Sequence, residues 1–237
     1  MKLREAVSWL TGTLQRNLIP LLEECWERPL TEKERRLVSI LELVQIEKFA
    51  GRRPRRFGRK PWERQCRQAA PEALAELPVH CDVGTKKTSK GYQETWIGYK
   101  VHADVDCCLP ISVALTAASV HDSQVAIPLM KLTSERVDYL YDLGDAAYDA
   151  QPIYEVSRSL GHVPIIDKNG RGKGVIPMAP HEAARYRERS VAERFNSRLK
   201  EDFGAGNVMV RGAEKVRLHL MFGVIALFAD QLLKLIC

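Results

Sequence analysis

Apolar and polar positions alternate at helical spacing through the first fifty residues. In LREAVSWLTGTLQRNLIPLL the apolar side chains recur every three or four positions, and Pro20 ends or kinks the run. Thr31 to Glu34 (TEKE) has the form of a capping box ahead of RRLVSILELVQIEKF, which predicts a second helix. From residue 95 the period drops to two. In TWIGYKVHADVD, Ile97, Tyr99, Val101, Ala103 and Val105 point one way, and Trp96, Lys100, His102, Asp104 and Asp106 the other. After a turn at CCLP the alternation resumes from Leu109 to Ala117, so a β-hairpin with one buried face is expected.

The remaining pattern predicts a helix entered at His121-Asp122-Ser123, with Pro128 awkwardly inside it. VDYLYDLGD (137–145) is apolar enough for a strand buried on both faces. A helix over IYEVSRSL ends at Gly161, a short strand covers HVPIID, and a basic glycine loop, KNGRGKG, follows. Residues 186–203, YRERSVAERFNSRLKEDF, are expected to form a helix, and an apolar C-terminal helix closes the chain. At about 100° per residue, Tyr186, Arg189, Glu193 and Lys200 share a sector of roughly 60°, with Val191, Ala192, Phe195 and Leu199 almost opposite. The order of elements predicts a mixed α/β domain built on a central sheet.

Charge changes this picture in one place. The net charge is +6, and residues 51–67 alone carry eight Arg or Lys against one Glu, leaving the rest of the chain at −1. A positive charge concentrated in one segment favours a polyanion, DNA or RNA backbone, and Arg52, Arg53, Arg55 and Arg56 head it. A solvated linker is the alternative reading. The six cysteines show no metal-ligand spacing, and no signal-peptide pattern is present, so a reduced, cytoplasmic protein is expected. Asp230, Gln231 and Lys234 interrupt the apolar run HLMFGVIALFADQLLKLIC, which argues for a core helix rather than a membrane span.

Two acids stand where chemistry is expected. Asp145 ends a predicted strand, the end of an α/β sheet at which ligands gather, and is equally read as the turn residue that terminates the strand. Glu193 lies on the charged ridge of the 186–203 helix. On spacing alone, Arg189 and Glu193 are equally an ordinary i,i+4 surface pair. Carboxylates of this kind suit Mg²⁺ or Mn²⁺, and a metal pair would polarise a phosphodiester.

The segments HDSQ, DLGDAAYDA, GHVPIIDKN and RYRERSVAERFNSRLKEDFG resemble bacterial insertion-sequence DDE transposases. Tyr186, Arg189, Glu193 and Lys200 match the Tyr-x2-Arg-x3-Glu-x6-Lys signature of one group of that family. The resemblance implies an RNase H-like (retroviral-integrase-like) mixed sheet flanked by helices, with an α-helical N-terminal extension. It places a helical region at 1–50, a basic linker at 51–78 and the catalytic core at 79–237. It also implies Mg²⁺- or Mn²⁺-dependent cleavage and strand transfer on double-stranded DNA, at terminal inverted repeats and target, by a homo-oligomer associated with the nucleoid when DNA-bound. Asp145 and Glu193 would be the second and third catalytic, metal-binding acids. Tyr186, Arg189 and Lys200 would contact DNA. The family's first acid, in an Asp-Ser-Thr or Asp-Gly-Thr motif, has no counterpart. Asp82 is the nearest candidate, and a loop aspartate beside a turn is its other reading. The passage from IEKFA into GRRPRRFGRK resembles a join where a middle section has been lost, which makes a DNA-binding remnant that does not cut the rival function.

Overall fold

The computed structural model describes residues 61–87, 91–107, 109–170 and 177–236, together with Pro20, Glu23, 28–32 and Arg35. Most of the two expected N-terminal helices, Arg52, Arg53, Arg55 and Arg56, and most of the KNGRGKG loop lie outside the described residues. The chain divides into two units, one of Ile46–Asn196 and one joining Met1–Gln45 to Ser197–Cys237.

The first unit is mixed α/β. Its elements are α1 (Pro61–Gln65), α2 (Ala70–Ala75), β1 (Asp82–Lys87), β2 (Gln93–Asp106), β3 (Leu109–Ala117), α3 (Ser123–Ser134), β4 (Tyr141–Gly144), α4 (Gln151–Ser159), β5 (Val163–Ile166) and α5 (Pro180–Tyr186). The start of α6 (Ser190–Glu201) also belongs to it. The expected hairpin is present as β2 and β3, antiparallel and joined at Cys107, which adopts a left-handed φ of 51°. β1 pairs with residues 93–98 of β2, and β3 with 99–106, so β1 carries on the line of β3. Ala117 N donates to Pro78 O (2.8 Å) where the two segments meet.

Three expectations need correction. Among the described residues the strands form two sheets, β1-β2-β3 antiparallel and β4-β5 parallel, rather than one central sheet. The hairpin does not bury one face and expose the other: every residue of β3 is buried, His102 of the polar face is buried, and Ile97 of the apolar face is 78% exposed. The polar face can be covered because its members find partners. His102 Nε2 bonds Thr116 Oγ1 (2.9 Å), and Lys100 Nζ donates to Val120 O (2.8 Å). Finally, the strand expected over 137–145 is only four residues long, and Leu140 before it is 51% exposed. Tyr141 at its start is exposed as well and only Gly144 is fully buried, so β4 is not enclosed on both faces.

Helix α3 is the hub. One face joins Leu74, Leu77, Ala114 and Val120, and another meets Ile153, Tyr154 and Ile166. Pro128 sits inside it and has no N–H to give to the Gln124 carbonyl one turn earlier. Gln65 Nε2 supplies the missing donor, at 2.7 Å from Gln124 O, and Trp62 Nε1 donates to Ser123 O at 3.2 Å. The residue that interrupts helical bonding thus creates the docking point for α1. Lys131 Nζ completes the attachment by donating to Gln65 O, Cys66 O and Gln68 O at 2.9, 3.0 and 2.8 Å. Helix α4 stops as expected, with Gly161 at φ 85° just beyond its last turn.

In the second unit, α7 (Ala213–Ile236) buries Val216, Leu220, Val224, Leu227 and Phe228. Arg198 pairs with Asp230, and His219 Nε2 lies 2.9 Å from Gly204 O. Among the described residues no helix is long and apolar enough to cross a membrane.

Candidate active site

Asp145 follows β4 directly. Its Oδ1 accepts from Ala147 N (2.9 Å) and caps a 3-10 turn over Ala146–Tyr148. Gly144 before it is closely packed, since an added Cβ would lie 3.2 Å from Tyr148 Cβ and 3.4 Å from Ile166 Cγ1. The parallel register pairs Gly144 with Ile166, so Asp145 and Asp167 emerge side by side from the carboxyl ends of β4 and β5. Asp167 N returns a bond to Gly144 O at 3.0 Å.

The signature residues come from a less regular segment than one continuous helix. Helix α5 ends at Tyr186, a 3-10 turn covers Arg187–Arg189, and α6 starts at Ser190. In a 3-10 turn residues three apart eclipse, and the Arg189 guanidinium indeed stands over the Tyr186 ring, 5.4 Å from its centroid. Arg189 Nη2 then reaches Glu193 Oε1 at 2.8 Å. Phe195 and Leu199 are buried, as the helical spacing predicts, while Glu193 and Lys200 are exposed.

Electrostatics tie this segment to the β4 end. Burial raises the Tyr186 hydroxyl above its ordinary value, and the Asp167 and Asp145 carboxylates add to the rise. Burial opposes the charge on Arg189, but Tyr186, Glu193 and Asp145 together outweigh it and hold the guanidinium more firmly protonated. Arg189 thus lies within electrostatic reach of Tyr186, Glu193 and Asp145.

Asp82 is placed otherwise. At the start of β1 its Oδ2 accepts from Ser119 Oγ (2.5 Å) and its Oδ1 from Val83 N (2.8 Å), with His80 Nε2 3.7 Å away. The Ser119 bond, then the Val83 amide, draw its carboxyl below the ordinary range. The contacts just given bring Asp82 to neither Asp145 nor Glu193. Lys200, also exposed, falls in the other unit.

Carboxylate oxygens are the donors Mg²⁺ and Mn²⁺ take, commonly one or two from protein with water and substrate phosphate completing the set. By that chemistry Asp145 and Glu193 suit such an ion. Among the described residues, no three His, Cys, Asp or Glu side chains are grouped to hold one by themselves.

Two polar networks near the site escape sequence reasoning. In the first, Asp142 of β4 receives Tyr139 Oη (3.0 Å), Ser157 Oγ (2.6 Å) and His162 Nδ1 (3.1 Å), and lies near Asp104 of β2. In the second, Asp149, Tyr154 and Lys168 join the loops after β4 and β5. Neither has a sequence spacing that marks it. The β4-β5 register creates the second, and the fold around β2 and α4 the first.

A family model described as the transposase DDE domain matches residues 69–229, more than half of the chain, from α2 into α7, and includes Asp82, Asp145, Tyr186, Arg189, Glu193 and Lys200. No curated protein and no solved structure matches. The chain belongs to the transposase DDE domain family.

Proposed function

We propose that this protein is a transposase of the Tyr-x2-Arg-x3-Glu-x6-Lys group that cleaves and joins DNA at insertion-sequence ends, using an RNase H-like core over 79–237. The observation that carries the reading is the Arg189 guanidinium, which contacts Glu193 at 2.8 Å, stands over the Tyr186 ring and lies within electrostatic reach of Asp145 at the carboxyl end of β4. Bound Mg²⁺ or Mn²⁺ would supply the positive charge that stabilises the reacting phosphate. Asp145 and Glu193 would hold the ion. Arg189 orients Glu193 through its 2.8 Å contact and offers a planar donor set to DNA phosphate, with Tyr186 stacked beneath it. Lys200 and the arginines at 52, 53, 55 and 56 would bind the duplex backbone. The partners are the element's terminal repeats, target DNA and further copies of the chain, in the bacterial cytoplasm. Residues 1–50 and 51–78 would serve as helical extension and basic linker.

A second reading has its own support. Asp82 is engaged by Ser119 and Val83, which favours a shortened, non-cutting DNA-binding member. Nicking of labelled DNA carrying the repeats that flank the gene, with Mn²⁺ or EDTA, decides between them. Metal-dependent cuts lost in Asp145→Asn and Glu193→Gln support the transposase. Salt-sensitive binding without any cut supports the remnant.

A further inference from the structure

The turn that carries Asp145 is fastened at its far end as well as its near one. Asp149 closes the 3-10 turn three residues after it begins. Its Oδ1 accepts from Tyr154 Oη (3.0 Å), and its Oδ2 accepts from Asn169 N (3.0 Å) in the loop after β5. Lys168 Nζ donates to Tyr154 Oη at 2.7 Å, approaches Asp149 Oδ1 to 3.6 Å, and lies 4.1 Å from the Tyr154 ring centroid. Tyr154 itself is buried on α4 against Ile153, Val156 and Ile166. One hydroxyl on a rigid helix thus joins a carboxylate from the β4 loop to an ammonium from the β5 loop.

We propose that Asp149, Tyr154 and Lys168 form a positioning bracket that locks the 145–149 turn to the β5 loop and so fixes the direction of the Asp145 carboxylate. This inference rests on the catalytic reading of Asp145 for its consequence, though not for its geometry. A single acid at a strand end is free to swing with its loop. Here the turn between Asp145 and Asp149 is held by the Asp145–Ala147 bond at one end and by the bracket at the other. Charge favours the locked form. Burial pushes the Asp149 carboxyl up, but the Asn169 amide, the Tyr154 hydroxyl and Lys168 outweigh it and keep it ionised. The Tyr154 bond in turn raises Lys168. All three groups therefore stay in the protonation states that bond each other across the neutral pH range.

The test compares Tyr154→Phe, Lys168→Met and Lys168→Arg in the full chain. Tyr154→Phe keeps the buried ring and removes only the shared hydroxyl. Two measurements are made: amide exchange at Ala147 and Tyr148, and Mn²⁺-dependent nicking of repeat-bearing DNA alongside its binding. The bracket predicts exchange at those amides faster by about 10- to 100-fold in Tyr154→Phe and Lys168→Met, without a matching change in β2 and β3. Nicking at saturating DNA falls by about tenfold or more with DNA affinity unchanged, and Lys168→Arg recovers part of the loss. Unchanged exchange at Ala147 and Tyr148 overturns the bracket. So does nicking by Tyr154→Phe and Lys168→Met at the wild-type rate. If the wild-type protein does not nick, the catalytic reading is what fails, and the bracket is then decided by exchange alone.

Discussion

Replacing Asp104 with Asn should make the α/β unit more stable at neutral and alkaline pH and leave it unchanged or weaker in acid. Asp104 is half-buried, and burial, with the Asp142 carboxylate nearby, raises its carboxyl from 3.8 to about 6. In acid below 3.8 it is protonated in folded and unfolded chains alike and contributes nothing. As the pH rises, the unfolded chain ionises first and unfolding is favoured. The cost grows until the pH passes about 6, above which it is constant. Two units of pKa correspond to about 3 kcal/mol. An asparagine amide has no charge to desolvate, so Asp104→Asn recovers most of that amount, less about 1 kcal/mol for an imperfectly matched amide. The expected gain at pH 8 is therefore about 2 kcal/mol, vanishing or reversing near pH 4.

The assay is urea unfolding of wild type and Asp104→Asn from pH 4 to 8, followed by tryptophan fluorescence and circular dichroism. The quantity of interest is the difference between the two proteins at each pH. That difference removes the opposing effect of His102, whose imidazole burial lowers to about 4 and which therefore destabilises the fold as the pH falls below 6.5. A difference flat with pH, or one in which the variant gains in acid and loses in base, would refute the account of a desolvated carboxyl at Asp104.

Lys131→Met removes the donor from three carbonyls behind α1 and should cost about 2 to 3 kcal/mol in thermal unfolding. Gly84→Ala would place a methyl 2.4 Å from Trp96 Cζ2 and 2.9 Å from Ala118 Cβ, so a loss of about 1 to 3 kcal/mol and a shifted tryptophan emission are expected. Phe195→Ala empties a fully buried site at the start of α6 and should cost about 3 to 5 kcal/mol in urea unfolding.

Much of the architecture is legible along the chain because it depends on local periodicity. The β2-β3 hairpin, the end of α4 at Gly161 and the buried Phe195–Leu199 stripe all follow from positions within a few residues of each other. What escapes sequence reasoning depends on long-range pairing. The awkward Pro128 makes sense only once Gln65, far away in sequence, is seen to satisfy the carbonyl it leaves open. The polar face of β2 is an ordinary solvent face by pattern, yet Thr116 and Asp122 reach His102 and allow it to be buried. Continuous helical spacing placed Tyr186 on one ridge with Arg189, and the contact survives by a different geometry, a 3-10 turn. The site itself divides the same way: Asp145 and Glu193 stand out in the sequence, while Asp149, Tyr154 and Lys168 come together only through the β4-β5 register.

The Arg189–Glu193 contact shows why a pair of charges on a helix cannot be assigned by spacing. As a stabilising device it is weak. Glu193 is 63% exposed on its side chain, and exposed i,i+4 pairs contribute about 0.3 to 0.5 kcal/mol. Glu193→Gln should therefore unfold at nearly the wild-type temperature and urea concentration. Arg189 of the same pair lies within electrostatic reach of Asp145, whose carboxylate favours the charge on its guanidinium. Glu193→Gln with intact stability and lost nicking would assign the residue to chemistry. Glu193→Gln that unfolds several degrees earlier would instead return it to the structural role that its spacing alone allows.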